Sequence, residues 1–150
     1  MADQRPDGDL RELAARYAHA VDRRDREAFL SVFHPEATLV VVPPSGAVRR
    51  MRGYEQLGLV TERIARYDRT FHLLGQSIHS ADGADEASGV TYCVAHHMSG
   101  GADPVDHVMY IRYQDRFRRD SSGWTIDHRE VLIDWTETRP VDIVREASHG

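Results

Sequence analysis

The second half of the chain constrains the fold most. Residues 70–80, 88–98, 105–119 and 124–136 read as long strands, separated by turn signals at Asp82-Gly83, at Ser99-Gly100-Gly101 with Pro104, and at Ser121-Ser122-Gly123. What precedes them is mainly helical. Leu10, Leu13, Ala14, Tyr17 and Val21 recur at helical spacing and predict a helix over 7–22. Asp25 can cap a short second helix carrying Ala28, Phe29 and Val32, which ends in the Pro35 neighbourhood. The apolar, β-branched run 37–42 predicts a buried strand stopped by Pro43, Pro44 and Gly46. A third helix is expected over 54–67, where Leu57, Val60, Ile64 and Tyr67 share a face. Helices first and an antiparallel meander after describe an α+β domain whose helices cover the apolar face of a curved sheet.

At 150 residues the chain has the size of one domain, with a core over about 8–138 and loose tails at 1–7 and 141–150. A net charge of −5 provides no basic excess for nucleic acid or anionic lipid. The longest apolar stretch, 37–44, is too short to span a bilayer, and the opening MADQRPDGDL has no hydrophobic targeting region, so a cytoplasmic protein is expected. All nineteen basic residues are Arg, which rules out a P-loop lysine and Schiff-base chemistry. Cys93 stands alone and excludes internal disulfides, CxxC pairs and multi-Cys zinc sites. The nine His residues lack HExxH spacing, and His96 and His97 point to opposite faces of a strand, so no metal is expected. The runs Arg23-Arg24 and Arg49-Arg50-Met51-Arg52 read as solvated loop faces.

Strand periodicity indicates which polar residues point inward. Arg129 shares a face with Val131, Ile133 and Trp135, so its guanidinium needs either a structural carboxylate or a substrate oxygen. Thr91, Cys93, Ala95 and His97 form a face of small residues ending in a His, the pattern of a cavity wall. His72 shares a mostly apolar face with Leu74, Gln76 and Ile78 and needs a hydrogen-bond partner. Asp22 lies near the C-terminal end of the first helix, where the macrodipole disfavours negative charge; it either ends the helix in water or finds a compensating group. Tyr17 precedes it on the core face.

The order of elements, the AxxYAHAVDRRD helix end, the phrases RTFHLLGQ and GVTYCVAHH, and the closing strand WTIDHREVLIDW together resemble SnoaL-like proteins of the nuclear-transport-factor-2-like superfamily, over roughly 10–137. That resemblance implies a cone-shaped, curved antiparallel or mixed sheet wrapped by three N-terminal helices around a pocket. Several members, among them scytalone dehydratase, bile acid dehydratase and a dehydrochlorinating lyase, use an Asp-oriented His as general base. By that likeness Asp22 and His72 form the base, Tyr17 and Arg129 hold substrate oxygen, and His97, with Cys93 and Trp135, lines the substrate pocket. The implied protein is a cofactor-independent lyase or isomerase acting on a hydrophobic cyclic molecule such as a steroid, terpenoid or polyketide. A noncatalytic small-molecule-binding or accessory subunit and a polyketide cyclase are the alternatives. A homodimer is also expected, since related proteins commonly form dimers and the outer sheet face carries Trp124, Ile126 and Leu132 or their alternates.

Overall fold

A computed structural model describes residues 7–143. Helix α1 (Asp7–Arg23) turns its stripe of Leu10, Leu13, Tyr17 and Val21 into the core. It ends in a Schellman turn: Arg24 takes φ +56°, Arg24 N–H donates to Val21 O, and Asp25 N–H donates to Ala20 O. Asp25 then caps α2 (Arg26–Ser31) by accepting from Ala28 N–H at 2.9 Å. Strand β1 (Phe33–Val42) follows, starting earlier than the predicted 37–42 and running through Pro35.

The run 49–52, expected as loop, is the short edge strand β2 (Arg49–Arg52), which pairs with β1 and buries Met51 while its three Arg residues stay exposed. The single helix expected over 54–67 is two short ones, α3 (Gly53–Leu57) and α4 (Leu59–Ile64). They meet at Gly58, where the Arg26 guanidinium occupies the space a Cβ would need. Val60, Ile64 and Tyr67 nevertheless face one cavity, as the helical spacing predicts.

The meander is β3 (Arg69–Ala81), β4 (Glu86–Ser99), β5 (Val105–Asp120) and β6 (Gly123–Pro140). One curved, unclosed sheet of six strands results, in the order β2-β1-β6-β5-β4-β3, antiparallel except for the parallel β1–β6 pair. The α+β architecture is therefore the expected one. α1 lies across the concave face, and Phe29, Phe33 and Leu39 join its apolar stripe in the core.

Register breaks decide which residues face inward. In β6, Asp127 and Asp134 have no partner opposite them on β5, so each is a bulge. The first turns Ile126 into the core, where it is fully buried, so of the alternatives open for the outer face Ile126 is excluded. The second leaves Val131 and Ile133 inside but moves Trp135 to the convex face, stacked on Tyr110 with ring centroids 4.4 Å apart. A similar break between Leu74 and Ser77 in β3 buries Ser77 and leaves Ile78 65% exposed. Most of the residues expected to form loose tails lie outside those described; Asp7 belongs to α1, and Val141 N–H donates to Pro104 O. Among the described residues no helix is long and apolar enough to cross a membrane.

Candidate active site

Asp22, one residue before the end of α1, is compensated by β3. Its Oδ1 accepts from His72 Nδ1 at 2.7 Å and from Thr70 Oγ1 at 2.9 Å, and its Oδ2 accepts from the His72 backbone N–H at 3.0 Å. Burial works against the charged carboxylate, but the bonds from His72 and Thr70 outweigh it and hold Asp22 below its ordinary pKa. The carboxylate also fixes the imidazole with hydrogen on Nδ1, which leaves Nε2 as an acceptor. Arg24 braces this joint: its guanidinium donates to Asp22 O at 2.8 Å and to Tyr67 O at 2.9 Å, clamping the helix end to the start of β3.

His72 lines a cavity of about 130 Å³. Leu39, Ile111, Val131 and Ile133 form apolar wall from the sheet, and Tyr17 and Val21 supply the helix side. His97 lies on the same wall, its ring centroid 5.7 Å from that of His72. Burial, followed by the nearby His72, lowers the His97 pKa to about 4. It is therefore neutral near pH 7, with Nδ1 donating to His107 O at 3.2 Å. Of the small-residue face Thr91, Cys93, Ala95 and His97, only His97 lines this cavity. Cys93 on the same strand face is buried but does not line the cavity, and burial raises its thiol pKa to about 11. That removes any thiolate role near neutral pH.

Arg129 is fully buried behind the cavity. Its Nε and Nη2 donate to the two Asp115 oxygens at 2.8 and 2.7 Å, and its guanidinium lies 4.3 Å from the Tyr17 ring centroid and 4.2 Å from that of Tyr113. Of the two partners left open by the sequence, the structure supplies the carboxylate. Arg129 does not line the cavity, so it reaches a substrate only through the two tyrosines. Burial raises the pKa of both phenols and keeps them protonated donors.

The structure thus brings Tyr17, Asp22, His72 and His97 together, places Arg129 and Cys93 one layer behind, and sends Trp135 to the other face of the sheet. Thr70, Tyr113, Tyr67 and Arg24 complete the site and were not anticipated. Thr70 had a readable signal, since it lies two residues before His72 on the same strand face. Tyr113, Tyr67 and Arg24 had none that separates them from ordinary packing or solvated residues. Two further imidazole–carboxylate pairs, His79–Asp7 at 2.7 Å and His96–Asp106 at 2.6 Å, lie away from this cavity. No cluster suited to a metal ion occurs among the described residues.

The fold is of the α+β class, a curved, unclosed sheet with N-terminal helices, and its pocket carries a carboxylate-bound histidine in the wall. The chain belongs to the SnoaL-like domain family, whose model matches residues 7–130. No curated protein matches the sequence. Among solved structures it is similar to a protein assigned as a scytalone dehydratase from Novosphingobium aromaticivorans, at 19% identity and TM-score 0.72 over 90% of this chain and 87% of that one. It is also similar to the Kfla4162 protein from Kribbella flavida, at 18% identity and TM-score 0.79 over 87% and 92% of the two chains. The hexachlorocyclohexane dehydrochlorinase LinA-type3 from Novosphingobium barchaimii is 13% identical with TM-score 0.72, covering 92% of this chain and 91% of that one. At these identities the likeness concerns the fold.

Proposed function

We propose that this protein is a cofactor-independent lyase or isomerase that removes a proton from carbon in an apolar, ring-bearing small molecule. One observation carries the reading: the His72 ring that donates to Asp22 at 2.7 Å also lines an apolar cavity. With Nδ1–H held by Asp22, Nε2 takes the substrate proton, and the imidazolium formed is stabilised by the adjacent carboxylate. Negative charge developing on a substrate oxygen is met by the protonated Tyr17 hydroxyl. Arg129 acts through the tyrosine rings and is a positioning residue. The proton on His72 then passes to a departing hydroxyl in a dehydration, or to a second carbon in an isomerisation.

The fold likeness to a dehydrochlorinase and to an assigned dehydratase supports this reading. A cavity of about 130 Å³ encloses about one ring, since an engineered apolar cavity of about 150 Å³ binds benzene. Substrates of several rings would extend through its mouth. A noncatalytic binding subunit would use the same cavity, but the Asp22–His72 bond at its wall favours proton transfer; a cyclase would begin with the same proton abstraction and is told apart by its product.

Deuterium uptake into single-ring ketones in D₂O, followed by NMR, tests the base whichever leaving group the natural substrate carries. His72→Ala and Asp22→Asn are each expected to lower uptake by about 10²- to 10⁴-fold while circular dichroism and melting stay close to the parent's. Undiminished uptake in both variants would falsify the assignment. Ligand binding without any exchange would favour the noncatalytic subunit. We also propose a homodimer, supported by Phe71, Leu73, Tyr92 and Trp135 standing exposed on the strands of the convex face.

A further inference from the structure

The mouth of the cavity is cationic. Arg49 from β2, Arg63 from α4 and Arg66 from the segment before β3 all line it, whereas no Asp or Glu does. Arg63 and Arg66 stand three residues apart at the end of α4 and just beyond it, and Arg49 is brought beside them from β2, so the fold joins two separate stretches of chain at this rim. The protein as a whole carries a net charge of −5, which makes an acid-free, arginine-only rim a local departure from its surface. Some exposed arginines elsewhere find carboxylates, as Arg112 does with Asp134 and Arg119 with Asp85. Arg49 and Arg63 have no side-chain hydrogen bond or ion pair among the described residues. Arg66 donates to Tyr67 Oη at 2.8 Å and lies over its ring, and that ring stands 4.9 Å from His97. The Arg66 contact is with a phenol and not with a carboxylate, so the rim presents three arginines with no Asp or Glu among them.

We infer that the ligand is an amphiphilic carboxylate: a ring-sized apolar body beside His72 and His97, with its anionic end at the mouth among Arg49, Arg63 and Arg66. The inference rests on the proposed use of this cavity as the ligand site and names the chemistry of what enters. Planar guanidinium donors match carboxylate oxygens in pairs, and a rim of one sign beside a low-dielectric wall concentrates anions at the entrance. The apolar wall holds the body, which fixes the end that enters first. The carboxylate stays in the wet mouth and the reacting carbon goes to the base.

Two probes with one body and different ends test this. 3-Phenylpropionate and 3-phenylpropionamide are titrated into the protein at low salt while the ring-proton NMR signals of His72 and His97 are followed. The carboxylate is expected to bind at least tenfold more tightly than the amide, with the gap narrowing as salt is raised. Arg49→Gln/Arg63→Gln, which leaves the Arg66–Tyr67 contact in place, is expected to cut that gap several-fold without weakening the amide. Adding Arg66→Gln should bring the two probes close to parity. Equal binding of carboxylate and amide to the parent protein, or a gap that persists in the triple variant, overturns the anionic ligand while leaving the cavity reading intact. If neither probe moves the two histidine signals at millimolar concentration, the cavity reading falls together with the inference.

Discussion

Individual residues in this site are defined by how their charge is handled. Asp22 keeps its charge because three donors share it, and His97 loses the ability to hold one because it is buried beside His72. The second effect has a consequence for stability. The folded pKa of His97, about 4, lies below its ordinary 6.5, so between those values the unfolded chain binds a proton that the folded chain refuses. Stability from this group is therefore complete above about pH 6.5 and falls as the pH drops toward 4. A shift of that size corresponds to about 3 kcal/mol. Urea unfolding at pH 7 and pH 4.5 should show a markedly smaller loss in His97→Gln than in the parent; parallel losses would refute the assignment. Sequence position raised Asp22 and His72 as candidates, one by its place against the helix dipole and the other by its apolar strand face, and the family resemblance made them a pair. Sequence position could set Thr70 on the strand face of His72, two residues away, but could not say that Arg24 braces the pair, because an arginine after a helix is commonplace.

At the level of elements, strand alternation works until a bulge interrupts it. Arg129, Val131 and Ile133 face inward as a period of two requires, and the unpaired Asp134 then reverses the order for Trp135. A bulge adds one residue to one strand without any distinctive composition, so neither Asp127 nor Asp134 announces itself in the sequence. The elements themselves were more legible: the four-strand meander, the first helix and the Asp25 cap all follow from periodicity and capping chemistry. Edge strand β2 was concealed by its arginines, since only Met51 of the four is buried.

The β5–β6 ladder also holds the Arg129–Asp115 pair, buried on both sides. Removing one partner strands the other's charge in the core, so Arg129→Met is expected to cost about 3–5 kcal/mol. Arg129→Met/Asp115→Leu should recover most of that loss, because two neutral side chains leave no charge to desolvate. A double variant as unstable as the single one, measured by urea unfolding, would show that shape and not charge sets the requirement.

For the molecule as a whole, the helices cover one face of the sheet and leave the other bare. Leu73 and Trp135, each 56% exposed, stand on that bare side. Sedimentation of the parent should give a dimer at micromolar concentration, and Leu73→Asp/Trp135→Asp should give a folded monomer; a monomeric parent would refute the proposed assembly. Three imidazole–carboxylate pairs occur among the described residues. All three bonds are 2.6–2.7 Å long, yet only the one at His72 opens on the cavity in the cone. Acid–base apparatus is therefore abundant in this chain, and vacant volume beside it is scarce. An engineer seeking a second reactive centre would do better to carve space next to His79, whose Nε2 is buried without a partner, than to install new ionisable groups.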